Sequence, residues 1–316
     1  MRLIRGLSGL ECWQKPSAVT IGNFDGVHYG HQQMLSRLCE KAKQLGVPSV
    51  LITFEPLPHE FFAGDKAPPR LMGLREKLQY LSAKSDLDAV LCLPFSQSLA
   101  QLSAERFAQD ILLDGLSAQY ILLGDDFRFG YQRQGDLALL QNLSSHSGCQ
   151  VESMFSVIIG NARVSSTRVR QALAEGNVAQ ATHLLGRPYC LSGRVVKGDQ
   201  LGRTIGYSTA NIYLRRQNLA LSGVFAVQLR GIGKETLVGM ANIGFRPTVN
   251  GRELRFEVNL FDFTEDIYDR YVEVDIVTKL RDEQRFDTLD SLKVQLAVDE
   301  QVARDYFASS VYLSNK

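Results

Sequence analysis

The stretch 18-AVTIGNFDGVHYGH-31 decides the fold of the first half of the chain. A short apolar run is followed at once by a turn that contains three glycines and two histidines. Glycine lets the backbone turn sharply and approach a ligand closely. In open α/β sheets, ligands bind beyond the carboxyl ends of the strands. The stretch therefore predicts a strand, a ligand-binding turn and the start of a helix.

The residues on either side continue this pattern up to about residue 186. Short runs that are apolar throughout are typical of strands buried on both faces, and helix-like segments separate them. This alternation predicts an α/β Rossmann-like parallel sheet with right-handed crossovers. We expect strands within 17–21, 48–54, 88–95, 118–124 and 150–157, and helices within 31–46, 74–84, 103–116 and 135–148.

The second half of the chain has alternating runs instead. In one of them, Phe256, Val258 and Leu260 fall on one face, and Glu257 and Asn259 fall on the other. Alternation predicts half-buried antiparallel strands, and a small closed barrel would leave them no exposed edges. We expect strands within 189–199, 223–231, 235–244, 254–263 and 270–280, and a C-terminal helix over 289–308. The sequence thus predicts two domains, residues 1–186 and residues 187–316.

Composition limits the partners of the chain. The net charge of +1 does not indicate nucleic acid or an anionic membrane, so any anion must bind at a local site. The five cysteines lack metal-like spacing, which argues against disulfides and structural zinc and favours small buried side chains. We read no signal peptide and no transmembrane run, and expect a cytoplasmic protein. The oligomeric state is unknown from the sequence.

The two histidines of the opening stretch favour a phosphate site. His28 and His31 lie at the start of a helix, whose free N–H groups and dipole attract phosphate. Imidazoles can also donate hydrogen bonds to phosphoryl oxygens. Three alternatives stay open: a metal site with Asp25, a dinucleotide site and a structural turn. The first lacks further ligands, the second lacks GxGxxG, and the third does not require two histidines.

A second helix start has the same character. In 165-SSTRVR-170, Ser165, Ser166 and Thr167 can cap the helix and donate hydroxyl hydrogen bonds. Arg168 and Arg170 add two fixed cations. A capped surface helix with solvated arginines would give the same pattern. Two phosphate-type helix starts in one sheet are nevertheless less expected by chance.

Together these motifs resemble the nucleotidylyltransferase superfamily. With 53-TFEP-56, 70-RLMGLREKL-78 and 124-GDDFRFG-130, the set resembles bacterial bifunctional riboflavin kinase/FAD synthetases over nearly the whole chain. The resemblance implies an enzyme with riboflavin, FMN, ATP and Mg²⁺ as its small-molecule partners. The barrel would phosphorylate riboflavin to FMN. The N-terminal domain would adenylylate FMN to FAD and release pyrophosphate.

The resemblance also implies roles for residues of the first domain. His28, His31 and Arg168 would stabilise the charge that develops during adenylyl transfer. Asp125 and Phe127 would contact the flavin. The set implied for ATP and its phosphates is Gly22, Asn23, Phe24, Asp25, Gly30, Ser165, Ser166, Thr167 and Arg170.

A glycine-rich cationic loop, within 193-GRVVKGDQLGRTIGYSTANI-212, marks a second candidate site. Backbone N–H groups around Lys197, Gly198 and Gly202 could wrap a phosphate, although a solvated hairpin loop would look similar. By resemblance, Thr209 and Asn211 would lie at Mg²⁺, since hard oxygen ligands suit this ion.

The resemblance makes Glu257 the general base of the kinase, but the chain departs from the pattern nearby. Ser208 stands where the family usually has proline, which would fix φ beside Thr209. Asn259 replaces a frequent histidine. Two alternatives to the bifunctional enzyme therefore remain: an FAD synthetase with weak or lost kinase activity, and a non-catalytic flavin-binding regulator.

Overall fold

A computed structural model describes residues 1–198, 206–216, 218–248 and 251–309. The chain divides into two compact units, Met1–Pro68 with Leu74–Ser165, and Pro69–Gly73 with Ser166–Lys316. The units divide between Ser165 and Ser166, which is earlier in the chain than the domain boundary expected after residue 186. The limits 1–186 and 187–316 stay a prediction for the functional domains.

The first unit is built on a six-stranded parallel sheet, as predicted. All five expected strands are present. The first strand in the chain, Arg2–Arg5, was not predicted; it pairs with Ala89–Pro94 at one side of the sheet. The strand order is β1-β4-β3-β2-β5-β6. The strands are β1 Arg2–Arg5, β2 Ser17–Ile21, β3 Ser49–Glu55, β4 Ala89–Pro94, β5 Ala118–Gly124 and β6 Gln150–Met154, and a small hairpin follows with β7 Ile158–Ile159 and β8 Ala162–Arg163.

Helices connect these strands. Every residue of β2 is buried, which agrees with a strand covered on both faces. The helix expected over 103–116 is a short α-helix continued by the π-helix Phe107–Gly115. The α-helices are α1 Gly6–Glu11, α2 Tyr29–Leu45, α3 Pro58–Ala63, α4 Leu74–Lys84, α5 Gln97–Ala100, α6 Ala104–Arg106 and α7 Leu137–Ser144, with 3₁₀ turns at Gly64–Lys66 and Tyr131–Arg133.

The second unit contains the predicted closed antiparallel barrel, with strand order β10-β13-β12-β11-β14-β9. The sequence had indicated five of its strands. The sixth, β10, begins at Thr209, within the motif that was read as part of a loop. The strands are β9 Tyr189–Val196, β10 Thr209–Tyr213, β11 Gly223–Arg230, β12 Leu237–Thr248, β13 Gly251–Leu260 and β14 Tyr271–Arg281.

Among its described residues, the second unit also contains the helices α8 Ser166–Ala174, α9 Val178–Leu185 and α10 Leu289–Ala308. The bounds of α10 are those predicted. Arg281, at the end of β14, donates two parallel hydrogen bonds to the buried carboxylate of Asp299, with Nε–Oδ1 and Nη2–Oδ2 distances of 2.9 and 2.8 Å. This bidentate pair attaches α10 to the barrel.

No described helix has the length and apolar character needed to cross a membrane. All five cysteines are free thiols. Cys39, Cys92 and Cys149 are buried as expected, whereas Cys12 is exposed and Cys190 is half-buried.

Candidate active sites

The glycine–histidine turn joins β2 to α2 through an unusual backbone. Phe24, Gly26 and Val27 all have positive φ, at 47°, 80° and 40°. A branched residue such as valine rarely adopts this conformation, so the surrounding structure must hold it in place. Local strain of this kind is concentrated at functional sites.

A buried lysine stabilises the turn through hydrogen bonds. The side chain of Lys77, on α4, is 1% exposed. Its Nζ donates to the carbonyl oxygen of Asn23 at 2.6 Å and to Oγ1 of Thr53 at 3.3 Å. A buried ammonium group is tolerated only with such partners. Lys77 was not predicted from the sequence as a site residue, although it lies four residues before Leu81, on the buried face of its helix.

The two histidines lie side by side at the start of α2. His28 caps α2, because its Nδ1 accepts a hydrogen bond from the backbone N–H of His31 at 3.3 Å. The two rings stack with centroids 3.6 Å apart, and the Phe24 ring stacks on His31 at 4.5 Å. Since Nδ1 of His28 accepts, the neutral ring carries its proton on Nε2.

Two of the glycines make room for these rings. A Cβ atom at Gly22 would lie 3.0 Å from the Phe24 ring, and one at Gly30 would lie 3.3 Å from the His28 ring. Phe24 and Asp25 were implied as ATP contacts, but they are only 1% and 2% exposed. Their burial favours a role in shaping the turn.

The histidines, the glycines and the flavin-side residues share one cavity in the first unit. Its volume is about 180 Å³, and its wall is formed by the end of β2, the turn, the start of α2 and the segments that follow β5 and β6. The wall residues that the sequence had singled out are Gly22, Phe24, His28, Gly30, His31, Asp125, Phe127 and Ser165.

Asp125 also forms hydrogen bonds with the segment that follows β6. It accepts hydrogen bonds from the backbone N–H and the hydroxyl of Ser156, at 3.1 and 2.8 Å. Arg163, at the end of the small hairpin, lies 3.4 Å from Asp125 and donates to Asp126 at 2.8 Å. That hydrogen bond lowers the pKa of Asp126. Phe155, which the sequence did not single out, lies in the same wall and is 88% exposed.

The second helix start is divided between the two units. Ser165 belongs to the cavity wall of the first unit, whereas Ser166 and the residues after it begin α8 of the second. Within the second unit, Nε of Arg170 donates to the carbonyl oxygen of Pro69 at 2.6 Å. The phosphate-binding roles of Ser166, Thr167, Arg168 and Arg170 stay predictions.

The barrel contains a second cavity of about 290 Å³. Thr209 and Asn211 on β10 and Glu257 on β13 all line it. Strand pairing brings them together, because Asn211 lies opposite Glu257, and Thr209 lies opposite Asn259. The three residues implied for the kinase reaction therefore share one site.

The rest of the barrel cavity combines charge with an apolar wall. Nη1 of Arg255 lies 3.5 Å from Oε1 of Glu257. Glu283, within the 281-RDEQRF-286 stretch, also lines the cavity, and burial raises its pKa. An apolar wall with a few convergent polar groups suits a flat ring system that carries a polar chain. The apolar wall residues are Val224, Met240, Ala241, Phe286, Leu289, Leu292 and Leu296.

The glycine-rich loop is described only in part. Nζ of Lys197 lies 5.9 Å from the centroid of the Tyr268 ring, at cation–π distance. A Cβ atom at Gly198 would overlap the carboxamide of Asn211, so a larger residue there would displace that side chain. Gly202 lies outside the described residues.

The side-chain oxygens of Thr209 and Asn211 are hard donors of the kind that would suit a magnesium ion. Among the described residues, no group of three or more His, Cys, Asp or Glu side chains could hold a metal ion by itself. Mg²⁺ binds through few protein ligands together with substrate phosphates, and it prefers hard oxygen donors. The donor set of the barrel cavity meets these requirements.

The chain combines a parallel sheet, whose cavity contains paired imidazoles, with a barrel whose cavity contains Thr, Asn and Glu side chains. This combination is typical of a class of ATP-using transferases. Residues 11–168 match the family described as FAD synthetase, and residues 185–307 match the family described as riboflavin kinase. A relative from Escherichia coli K12, named bifunctional riboflavin kinase/FMN adenylyltransferase, is 49% identical over 97% of this chain and 98% of its own length. The chain belongs to the bifunctional riboflavin kinase/FMN adenylyltransferase family.

Two other proteins are similar to this chain over nearly its whole length. A relative of the same name from Pseudomonas fluorescens is 45% identical over 99% of this chain and all of its own length. The crystal structure of a protein described as a macrolide-efflux protein from Streptococcus pneumoniae has a TM-score of 0.83 at 32% identity, and it covers 96% of this chain and 99% of that one.

Proposed function

We propose that the chain converts riboflavin to FMN in the barrel cavity and FMN to FAD in the cavity of the sheet, with one ATP used in each reaction. The two family matches and the names of the full-length relatives support the pair of activities. The observation that carries the assignment of sites is the separate clustering of the implied residues. Thr209, Asn211 and Glu257 line one cavity, and His28 and His31 line the other.

In the barrel, the carboxylate of Glu257 accepts the proton of the ribityl 5′-hydroxyl group. The hydroxyl oxygen forms a bond to the γ-phosphorus of ATP, and the bond from that phosphorus to the bridging oxygen breaks. ADP leaves with the electron pair of the broken bond. Nη1 of Arg255 lies 3.5 Å from Oε1 of Glu257 and can help to orient the carboxylate.

In the sheet, an oxygen of the FMN phosphate forms a bond to the α-phosphorus of ATP. The bond from that phosphorus to the bridging oxygen breaks, and pyrophosphate leaves. Nε2 of His28 and the ring of His31 donate hydrogen bonds to the oxygens on which charge develops. Little covalent work falls to the protein, so positioning and charge stabilisation supply the rate enhancement.

Magnesium, when bound, would neutralise charge on the phosphates of ATP. In the barrel, Thr209 and Asn211 would hold it through their side-chain oxygens. The partners in this account are the small molecules riboflavin, FMN and ATP. A cytoplasmic location, and the absence of nucleic-acid and membrane partners, stay predictions from the sequence.

The test is to incubate the pure protein with Mg-ATP and either riboflavin or FMN, and to separate the flavins by chromatography. FMN and FAD formed from riboflavin support the two-reaction enzyme. FAD formed only from FMN would mean that the kinase is silent, the alternative that Ser208 suggests. Flavin binding without any product would indicate a non-catalytic regulator and would overturn the proposal.

A further inference from the structure

One hydrogen bond in the barrel links the strand of the general base to the strand of the metal site. Nδ2 of Asn259 donates to the backbone carbonyl oxygen of Ser208 at 2.8 Å. Ser208 directly precedes Thr209, where β10 begins. The amide of Asn259 therefore contacts the backbone at the residue before the proposed phosphate and metal contact.

The register of the two strands makes this contact specific. Thr209 lies opposite Asn259, so the Asn259 side chain reaches back by one residue along its neighbouring strand. Asn259 follows Glu257 by two positions on β13, and alternate residues of a strand point to the same face. Both side chains line the cavity. Strand β13 thus carries the proposed base, Glu257, and also Asn259, whose side chain contacts the residue before β10.

We propose that Asn259 is a positioning residue of the kinase reaction, which fixes the Ser208 carbonyl and thereby keeps the Thr209 hydroxyl directed at the ATP phosphates. This inference rests on the proposed role of Thr209. Serine leaves the φ angle of residue 208 free to vary, whereas proline would restrict it. In this chain, the side chain of the opposite strand supplies the restraint that the residue at 208 does not.

A simpler role would be direct contact between Asn259 and a substrate, since the side chain lines the cavity. The two roles differ in one consequence. If Asn259 acts through Ser208, then a proline at position 208 should replace its effect. If Asn259 touches a substrate, then no change at position 208 can do so.

In the first experiment, FMN formation is measured with two variants of the full-length protein, N259A and N259D. Aspartate has nearly the same size as asparagine, but its carboxylate cannot donate to a carbonyl oxygen. Loss of one hydrogen bond should raise the KM for Mg-ATP by about fivefold. The KM for riboflavin should stay within about twofold, because the apolar wall is untouched. Calorimetric binding of Mg-ADP should weaken by the same factor as the KM.

The second experiment adds a proline. S208P alone should leave the KM for Mg-ATP within about twofold, and S208P/N259A should return to the value of S208P. N142A, at an exposed position of α7, controls for handling of an asparagine variant. Melting temperatures show whether any variant has lost its fold, and FAD formation from FMN should be normal in all of them.

Two results would overturn the inference while FMN is still formed by the wild-type protein. One is an unchanged KM for Mg-ATP in N259A, and the other is a defect in N259A that S208P does not relieve. If the wild-type protein forms no FMN at all, then the proposed kinase function fails and the inference fails with it. The outcomes therefore separate the positioning role from the function on which it rests.

Discussion

The cavity of the sheet and the cavity of the barrel are organised in opposite ways. In the first, five of the wall residues, from Gly22 to His31, come from one ten-residue turn whose backbone is strained and supported by Lys77. In the second, Thr209 and Glu257 are far apart in sequence and line one cavity because β10 pairs with β13. The first site depends on a local conformation, and the second depends on strand register.

This difference determines how each site should fail. A change in the turn should disturb several ligand contacts together, because its rings stack on one another. A change at Glu257 should remove the proposed base and leave Thr209 and Asn211 in place, since the pairing of β10 with β13 holds them. The first three predictions below test this contrast, and the largest expected effect comes first.

Replacing the proposed base has the largest effect. Glu257→Gln should lower FMN formation by about 10²- to 10⁴-fold, because the glutamine amide cannot accept the hydroxyl proton. FAD formation from FMN should be unchanged. The measurement is the initial rate of each step with a matched Glu235→Gln control in an exposed loop. An equal loss in both steps would show that the two sites are not distinct.

His31→Ala should lower FAD formation from FMN by about 10²- to 10³-fold, the effect of losing one donor to the developing charge. FMN formation should continue at its normal rate. His146→Ala, at an exposed position, provides the control. If His31→Ala altered neither step, the phosphate-binding interpretation of the turn would be wrong.

Lys77→Met tests whether the turn needs its buried support. Two hydrogen bonds would be lost, so FAD formation should fall by roughly tenfold and the first unit should lose about 1–3 kcal/mol of unfolding free energy. Lys84→Met, exposed on the same helix, is the matched control. Normal FAD synthesis in Lys77→Met would mean that the turn keeps its conformation without Lys77.

The smallest expected effect concerns a buried carboxylate on β14. Burial raises the pKa of Asp275, although the nearby Arg230 opposes the shift. A raised pKa contributes stability below the unfolded-state pKa, and that stability is lost as pH rises through the folded-state value. Asp275→Asn should therefore melt a few degrees higher than the wild type at neutral pH, with the difference vanishing below about pH 4.

Asp262→Asn provides a control in which the effect on stability should depend on pH in the opposite direction. A hydrogen bond from Arg304 lowers the pKa of Asp262. Its contribution to stability is therefore present above the unfolded-state pKa and is lost as pH falls through the folded-state value. If both variants shifted in the same direction with pH, burial would not explain the behaviour of Asp275.

The same contrast explains what could be predicted from the sequence. The strands around the turn and the position of His28 and His31 follow from a contiguous pattern, and both are confirmed. Strand β1 was missed because four residues carry too little periodicity, and β10 was missed because glycine-rich sequence before it is typical of a loop. Neither the support of Asn23 by Lys77 nor the pairing of Asn211 with Glu257 leaves a local signal, since each joins distant residues.

The central proposal is that FMN and FAD form at two different sites, the barrel cavity and the cavity of the sheet. The direct test is to mix His31→Ala, which should form only FMN, with Glu257→Gln, which should form only FAD, and to supply riboflavin and Mg-ATP. Neither variant alone should form appreciable FAD from riboflavin, and the mixture should form it after FMN has accumulated. Formation of FAD from riboflavin at the wild-type rate by either variant alone would contradict the account.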